Sequence, residues 1–218
     1  MYRRIIAVGD IHGMYDRFQS VYHKMDYEPE RDFLIFLGDY IDRGPDSVKV
    51  LDWMLEHAGQ KNVVILRGNH EQMLLDYADS GESGWGWLLN SGLSTLQAMK
   101  KSLFGWQKYL DFVRKLPCHY EIEQGGQRYF FAHAGVNPAK PLEQQTEDDL
   151  LWVREEYYNH YTGEAIIVGG HTPVQAVAEG QTTPILKKNL IMLDTGSFLR
   201  DGHISAIDVL TREFWQSD

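Results

Sequence analysis

Cysteine is almost absent from this sequence: Cys118 is the only one among 218 residues. A single cysteine excludes an intramolecular disulfide framework and any zinc site built from several thiolates. Long apolar runs are absent too, since none reaches the roughly 18 to 20 residues that a membrane-spanning helix needs. The N-terminus enters a strand pattern without the apolar stretch of a secretory signal peptide. We therefore expect a cytoplasmic protein without a membrane partner.

Basic residues are fewer than acidic ones: the sequence has 21 Lys and Arg against 31 Asp and Glu, which gives a net charge of −10. A protein that binds nucleic acid needs a basic face to meet the phosphate backbone, so we expect no nucleic-acid partner. A small phosphorylated substrate is still compatible with this charge, because a bound metal ion can invert the local potential. The length and the 43% of hydrophobic residues fit one globular domain over residues 1–218.

Short apolar strands alternate with helical patterns in the first third of the chain. RIIAV (4–8), FLIFL (33–37) and NVVIL (62–66) predict strands, and each is followed by apolar residues at helical spacing. This alternation is typical of βαβ units, so it predicts a parallel sheet that is buried on both faces.

The second half of the chain is richer in strand patterns. These patterns lie at residues 118–123, 128–132, 165–168, 183–186, 190–193 and 203–209. EQGGQ (123–127) predicts a hairpin turn, and we expect antiparallel pairing in this half. Before it, residues 79–92 indicate a Gly-rich loop or a loosely helical insertion, and residues 93–116 predict a helix.

Five predicted strands each end in Asp, His or Asn beside a glycine. The five stretches are GDIHG (9–13), GDYIDRG (38–44), RGNHE (67–71), HAG (133–135) and GHT (170–172). In α/β sheets, ligands bind at the carboxyl ends of the strands, where such side chains converge. Carboxylate, imidazole and amide donors without thiolates suit Mn²⁺, Fe²⁺ or Zn²⁺. The donors outnumber the four of one tetrahedral site, whereas two ions about 3.5–4 Å apart with a bridging carboxylate would use them all.

These five stretches, in this order, resemble the phosphoprotein phosphatase family of calcineurin-like metallophosphoesterases, in particular its short bacterial and phage members. The resemblance implies an α/β fold with a central β-sandwich of two mixed sheets flanked by helices. It also implies a metal-dependent phosphatase that hydrolyses phosphate monoesters, above all phosphoserine and phosphothreonine in proteins, through attack by a hydroxide held between two metals. No regulatory subunit is implied.

The resemblance also assigns roles to individual residues. It implies two divalent ions, with Mn as the expected metal and Fe or Zn as alternatives. The ligands that match the family are Asp10, His12 and Asp39 for one ion, and Asp39, Asn69, His133 and His171 for the other. Asp39 would bridge the two ions.

Other matches concern the substrate. His70 and Asp42 match the family's acid pair, in which an imidazolium beside a carboxylate protonates the leaving alkoxide. Arg43 matches an arginine that grips phosphate oxygens, and Asn69 also faces the phosphate. Arg154 in LLWVREE is our candidate for the second phosphate-binding arginine, although an Arg on an exposed helix beside two glutamates is the alternative interpretation.

Several residues near these motifs have open roles. We expect Glu71 and Asp46 to serve helix starts, where a negative charge meets the positive end of the dipole. The DTGS stretch (194–197) receives no catalytic role. Trp85 and Trp87 either stack on a nucleobase or aromatic substrate group or pack the insertion down, and packing is the favoured interpretation.

Two other functions compete with the phosphatase. A dinucleoside polyphosphate hydrolase of the diadenosine tetraphosphate type shares the metal motifs, but members of that group commonly lack the aspartate of DRG and carry GNHD. Asp42 and Glu71 therefore favour the monoesterase, although some bacterial proteins with DRG are thought to cleave dinucleotides. A non-catalytic scaffold of the same fold is expected to have lost ligands, whereas all six metal positions are present here.

Overall fold

The computed structural model describes residues 1–80, 85–102 and 105–218. The strands are, in chain order, β1 Arg4–Val8, β2 Asp32–Phe36, β3 Val63–Ile65, β4 His119–Gln124, β5 Gln127–Ala132, β6 Ile166–Gly169, β7 Ile185–Leu186, β8 Leu190–Met192, β9 Ser205–Asp208 and β10 Phe214–Gln216. The α-helices are α1 Tyr15–Lys24, α2 Ser47–His57, α3 Asn69–Ser80, α4 Trp85–Trp87, α5 Leu93–Lys101, α6 Gln107–Val113, α7 Glu147–Trp152, α8 Glu155–His160 and α9 Val174–Val177. A π-turn at Leu88–Gly92 joins α4 to α5, and a 3₁₀ turn lies at Leu142–Gln144.

The described strands form two mixed sheets of five strands each, flanked by helices. The first sheet has the order β10-β9-β1-β2-β3, and the second has the order β4-β5-β6-β8-β7. In the first sheet β1, β2 and β3 are parallel, while β9 runs antiparallel to β1. This arrangement confirms the predicted fold class and the parallel sheet of the first third.

Strand β1 shows how the sequence pattern places the sheet between two layers. Ile5 and Ala7 belong to the apolar cluster shared with the second sheet, whereas Ile6 and Val8 belong to the cluster shared with the helices. Successive side chains of a strand point to opposite faces, so a continuous apolar run is buried on both sides. Phe18 of α1 fills the helical layer, and Phe131 of β5 fills the layer between the sheets.

The second half of the chain meets the expectation of antiparallel pairing only in part, because β7–β8 and β9–β10 are antiparallel but two other pairs are not. The β4–β5 hairpin is antiparallel and turns at Gly125 and Gly126, both at positive φ, as EQGGQ predicts. However, β5–β6 and β6–β8 are parallel, because the segments that contain α7, α8 and α9 cross over between them. Strand β10 was not anticipated.

The middle of the chain also differs in detail from its prediction. Residues 81–84 of the expected loop lie outside the described residues, and residues 85–92 are helical with a kink at Asn90 and Ser91. The single helix expected over 93–116 is two helices, α5 and α6, and residues 103–104 between them lie outside the described part.

No helix in the described ranges has the length and apolar character needed to cross a bilayer.

Candidate functional site

Six side chains from five strand ends meet at one edge of the two sheets. Residues that follow β1, β2, β3, β5 and β6 supply them, and every one is buried. The six are Asp10, His12, Asp39, Asn69, His133 and His171. The structure therefore brings together the whole ligand set expected from the sequence.

Asp39 lies between two groups of potential ligands. Its Oδ2 is 3.5 Å from Nε2 of His12, and its Oδ1 is 3.4 Å from Nε2 of His133. Two triplets have all their ligand atoms within 4.8 Å of one another, namely His12–Asp39–His70 and Asp39–His133–His171. One carboxylate thus offers a different oxygen to each triplet, which is the placement that a bridging ligand of two ions needs.

The histidines are oriented as neutral metal ligands. Nδ1 of His12 lies 3.0 Å from the Ile41 carbonyl oxygen, and Nδ1 of His133 lies 3.0 Å from that of Leu37. Each carbonyl accepts the Nδ1 proton and leaves the Nε2 lone pair facing the site. Burial lowers the pKa of His12 to about 3 and also lowers the pKa of His133, so both rings are uncharged at neutral pH.

His171 supplies an independent sign that the site fits metal ions. Its Nδ1 lies 3.0 Å from Oδ1 of Asn69, while its buried Nε2 has no hydrogen-bond partner among the described residues. A buried nitrogen without a partner is costly unless something else satisfies it. Burial also lowers the pKa of this imidazole, which leaves a lone pair available for an ion.

Asp10 is placed differently from the other ligands. Its two carboxylate oxygens accept from the backbone N–H of His171 at 3.2 and 3.1 Å, and it lies outside both triplets. Burial, with the charges of Asp194 and Asp39, raises its pKa well above the ordinary value. In the first triplet His70 stands where the sequence led us to expect Asp10, so the role of Asp10 as a ligand stays a prediction.

Glycine allows the close approaches in this site. A Cβ atom at Gly68 would overlap the backbone nitrogen and the carboxylate of Asp39, and one at Gly170 would overlap the carboxylate of Asp10. Only a residue without a side chain brings these strand ends so near to the ligands.

The backbone of the site is strained. Five of its non-glycine residues have positive φ values between 47° and 71°, namely His12, Asp39, Asp42, Arg43 and His171. The left-handed region costs a side-chain-bearing residue roughly 1–2 kcal/mol. Such strain persists where the surrounding contacts fix the backbone, and it is concentrated at functional sites.

Glu71 fixes the turn that carries Asp39. Its Oε2 accepts from the N–H groups of Asp39 and Gly68 at 2.8 and 3.0 Å, and its Oε1 accepts from those of Tyr40 and Ile41 at 2.8 and 3.3 Å. Glu71 does lie in the first turn of α3, as expected, but its carboxylate serves the neighbouring turn. Sequence reasoning missed this role, because three of the four partners lie 30 to 32 residues away.

The expected acid pair is in contact. Nδ1 of His70 lies 2.7 Å from Oδ2 of Asp42, and both side chains are buried. Burial lowers the pKa of His70, but the charges of Asp39 and Asp42 outweigh that effect, so the net pKa is raised. The arrangement favours an imidazolium that can give up a proton.

A cleft of about 220 Å³ opens over the ligands, and both expected arginines lie on its wall. Nη2 of Arg43 is 3.4 Å from Nε2 of His70, and its guanidinium lies 4.3 Å from the ring centre of Phe198. Arg154 precedes α8, and its Nη1 lies 3.1 Å from the Thr172 hydroxyl. The cleft is smaller than a typical small-molecule pocket of about 300–1,000 Å³, so it suits a phosphoryl group with the rest of the substrate outside.

Sequence reasoning missed several residues of the cleft wall. These residues are Asn90, Trp152, Pro173, Asp194 and Phe198. Asp194 belongs to the DTGS stretch, which had received no role, and burial raises its pKa to about 6. Its position directly after the apolar run of β8 is the signal that could have found it, since the other strand ends carry ligands in the same way.

The two tryptophans of the insertion behave differently from each other. Trp85 is 59% exposed, whereas Trp87 is 1% exposed. Trp87 packs inward, as the favoured interpretation expects, but its Nε1 also donates to Oδ2 of Asp42 at 2.7 Å. This contact with the acid pair was not anticipated.

The chain is similar to known proteins in both sequence and fold. The sequence is 32% identical over 180 residues to serine/threonine-protein phosphatase 1 of Salmonella typhimurium, and this match covers 80% of the chain and 81% of that protein. It is 25% identical over 224 residues to the asymmetrical bis(5'-nucleosyl)-tetraphosphatase PrpE of Anoxybacillus flavithermus, covering 87% of the chain and 84% of that protein. A crystal structure described provisionally as a diadenosine tetraphosphatase superposes with a TM-score of 0.75 at 20% identity, over 99% of this chain and 95% of that chain.

The match to a family covers almost the whole molecule. The sequence model of the calcineurin-like phosphoesterases matches residues 3–207, a range that runs from β1 into β9 and includes all six candidate ligands. The fold of that family implies a centre of two metals, and Asp39, with His12 on one side and His133 and His171 on the other, offers ligands for one. The chain is therefore an enzyme of the calcineurin-like phosphoesterase family, a metallophosphoesterase.

Proposed function

We propose that this metallophosphoesterase hydrolyses phosphate monoesters, and that phosphoserine or phosphothreonine in a phosphoprotein is its substrate. The observation that carries the proposal is the buried His70–Asp42 pair, in which His70 lines the cleft and its Nδ1 is bonded to Oδ2 of Asp42 at 2.7 Å. Arg43 and Arg154 line the same cleft and offer planar guanidinium groups to phosphate oxygens.

The acid pair matters because of the leaving group. The oxygen of water bonds to phosphorus, the ester P–O bond breaks, and the electron pair remains on the departing serine or threonine oxygen. That alkoxide is a poor leaving group, so it needs the proton of Nε2 of His70, and the proton that the water releases restores the imidazolium. In the hydrolysis of a dinucleoside polyphosphate, by contrast, the leaving nucleotide departs as a stable phosphate anion and needs no general acid. A complete acid pair therefore favours a monoester.

Two divalent ions, which we propose to be Mn²⁺, would be held by the six side chains around Asp39. The donor set has oxygen and nitrogen atoms without thiolate, which suits Mn²⁺, with Fe²⁺ and Zn²⁺ as alternatives. When bound, the ions would lower the pKa of a water molecule and neutralise charge on the phosphate. The protein's part is to orient the ligands, as the backbone carbonyls bonded to His12 and His133 do.

Relative turnover of three substrates tests this function. Protein loaded with Mn²⁺ is given a phosphothreonine peptide, p-nitrophenyl phosphate and diadenosine tetraphosphate in separate assays. We expect turnover of both monoesters, with kcat/KM for the peptide above that for the dinucleotide. Absence of monoesterase activity from the metal-loaded protein would contradict the proposal.

The variant His70→Asn tests the role of the acid. It removes the transferable proton but keeps the metal triplet of Asp39, His133 and His171 intact. General acid catalysis contributes about 10²–10⁴-fold, so we expect kcat on the phosphothreonine peptide to fall by on the order of 100-fold while metal is retained. His23→Asn, on the exposed face of α1, is the matched control and should leave kcat unchanged. An unchanged kcat for His70→Asn on the peptide would refute the acid role.

A second candidate function is hydrolysis of a dinucleoside polyphosphate. Relatives that carry the name tetraphosphatase support it, and so does Trp152, which is 40% exposed on the cleft wall where a base could stack. In the substrate comparison this function predicts a higher kcat/KM for diadenosine tetraphosphate than for the phosphothreonine peptide. It also predicts little loss of dinucleotide turnover in His70→Asn, because that leaving group needs no acid.

A further inference from the structure

The carboxylate of Asp42 accepts hydrogen bonds from two residues to which the proposed mechanism assigns no role. Nε1 of Trp87 donates to Oδ2 at 2.7 Å, and the Thr95 hydroxyl donates to Oδ1 at 2.6 Å. His70 approaches Oδ2 from the other side at 2.7 Å. All four side chains are at most 2% exposed, so these bonds are shielded from water.

The donors determine how His70 is held. An indole N–H can only donate, so Oδ2 of Asp42 acts as an acceptor towards Trp87. With Oδ1 likewise accepting from Thr95, the remaining bond requires His70 to donate its Nδ1 proton. Nε2 is then the atom of His70 that faces the cleft, 3.4 Å from Arg43.

Thr95 also holds the backbone of Asp42. The Asp42 N–H donates to the Ser47 hydroxyl at 2.9 Å and towards the Thr95 hydroxyl at 3.2 Å, and the two hydroxyls are 3.0 Å apart. Asp42 has a φ of 71°, so these bonds support a strained residue. Every proton in the group has an acceptor when Ser47 donates to Thr95 and Thr95 donates to Asp42.

The indole itself is fixed by packing within the insertion. A Cβ atom at Gly92 would overlap the indole of Trp87, so the π-turn lies directly against the ring. Tyr77 of α3 packs on it with the ring centres 5.4 Å apart. The donor that meets Asp42 therefore has one orientation.

We propose that Trp87 and Thr95 are positioning residues, which hold Asp42 and through it His70 in place to protonate a poor leaving group. This inference rests on the proposed function, because it concerns the acid step of monoester hydrolysis. Neither residue lies on the cleft wall, so both act through the Asp42 carboxylate. The two residues would thus raise the turnover of esters with poor leaving groups more than that of activated esters.

The test compares two substrates that differ in leaving group. Trp87→Phe keeps the packing of an aromatic ring and removes the N–H donor, and Trp85→Phe on the exposed side of the same insertion is the matched control. With Mn²⁺ present, we expect Trp87→Phe to lower kcat on phenyl phosphate by on the order of 10-fold, a part of the whole acid contribution. On p-nitrophenyl phosphate, whose leaving group needs little protonation, we expect a loss of at most about 2-fold. Trp85→Phe should change neither rate.

A second pair of variants keeps the inference testable if Trp87→Phe folds poorly. Thr95→Val is isosteric and removes the hydroxyl, whereas Thr95→Ser retains it. Thr95→Val should lower kcat on phenyl phosphate by a similar factor and leave kcat on p-nitrophenyl phosphate nearly unchanged. Thr95→Ser should have a kcat on phenyl phosphate close to that of the wild type. Equal losses on both substrates, or no loss, would overturn the positioning role.

The outcome for His70→Asn separates this inference from the proposed function. If His70→Asn loses more on phenyl phosphate than on p-nitrophenyl phosphate while Trp87→Phe and Thr95→Val do not, only the positioning role is wrong. If the wild-type protein hydrolyses neither ester, or His70→Asn shows no dependence on the leaving group, the proposed acid step fails and this inference fails with it.

Discussion

At the scale of single residues, the site depends on side chains that never touch a substrate. Glu71 is fully buried, yet its carboxylate accepts from four backbone N–H groups of the turns around Asp39. Burial and the charge of Asp39 raise the pKa of Glu71, while the N–H donors favour the ionised form. With both oxygens accepting, the carboxylate is the form that matches its surroundings.

Replacing Glu71 by Gln tests that role. The amide has similar volume, but its NH₂ group faces two N–H donors and leaves them unsatisfied in the interior. Since breaking a buried charged network costs about 3–5 kcal/mol and a lost hydrogen bond about 1–3, we expect the free energy of unfolding to fall by roughly 3 kcal/mol. Urea denaturation measures it, with the exposed Glu56→Gln in α2 as the control. If Glu71→Gln lost less unfolding free energy than Glu56→Gln, the role of Glu71 in fixing the turn would be contradicted.

The residue scale also shows what a sequence can and cannot predict about the site. The candidate metal ligands were identifiable because each follows an apolar strand and stands near a glycine. Trp87, Thr95 and Glu71 were not, because their partners lie 45, 53 and about 30 residues away. Nothing in a local pattern encodes a contact at that separation, so the network around Asp42 appears only in three dimensions.

At the scale of elements, short helices place the residues of the cleft wall. Helix α7 begins with a capping box, in which the Thr146 N–H donates to the Asp149 carboxylate at 2.9 Å and the Asp149 N–H donates back to the hydroxyl at 3.3 Å. The helix ends at Trp152, and Arg154 follows two residues later. The capping box fixes where α7 begins, and the cleft residues Trp152 and Arg154 lie at and just beyond its end.

The pH dependence of the Asp149→Asn variant tests this cap. Burial raises the pKa of Asp149, but hydrogen bonds from Lys140, Thr146 and Asn137 outweigh it, so the net pKa is lowered. A lowered pKa gives stability that is present above the ordinary value of 3.8 and is lost as the pH falls through the folded value. We expect Asp149→Asn to lose about 1 kcal/mol of unfolding free energy at pH 7.

The loss from Asp149→Asn should shrink as urea denaturation is repeated at pH values falling below 3.8. Asp148→Asn, at the exposed neighbouring position in the same turn, is the control and should show a smaller loss at pH 7. If the difference in unfolding free energy between the wild type and Asp149→Asn stayed constant from pH 7 to below pH 3.8, stabilisation by the ionised Asp149 carboxylate would be contradicted.

Elements were predicted better than their pairing. Periodicity identified nine of the ten strands in the described residues, because an apolar strand buried on both faces has a distinct local pattern. Pairing depends on which segments cross over between strands, so the parallel β5–β6–β8 arrangement was missed. Strand β10 was missed as well, because Phe214–Gln216 is an edge strand too short and too exposed for a clear pattern.

At the scale of the whole molecule, acidic side chains are concentrated at one edge of the two sheets. Asp10, Asp39, Glu71 and Asp194 are each at most 2% exposed, and the charges of the other three act on Asp10. Like charges that are buried together destabilise the folded state unless cations offset them. Divalent ions at the centre would therefore stabilise the fold as well as serve the reaction.

Removal of metal should lower the thermal stability of the protein. One ion at 100 times its Kd adds about 2.7 kcal/mol. For a chain of this length, that corresponds to a rise in Tm on the order of 5–10 °C between EDTA-treated protein and protein with Mn²⁺. Differential scanning calorimetry measures the shift, and Asp39→Asn should abolish most of it. A wild-type Tm indifferent to Mn²⁺ would contradict the account of the buried carboxylates.

The electron paramagnetic resonance spectrum of the Mn²⁺-loaded protein tests the central claim most directly, because that claim is a pair of ions bridged by Asp39. The carboxylate offers Oδ2 towards His12 and Oδ1 towards His133. We predict saturation at two Mn²⁺ per chain, with a spectrum of two exchange-coupled ions at the roughly 3.5–4 Å typical of two-metal sites. Saturation at one Mn²⁺ per chain, or the signal of two isolated ions, would contradict the account.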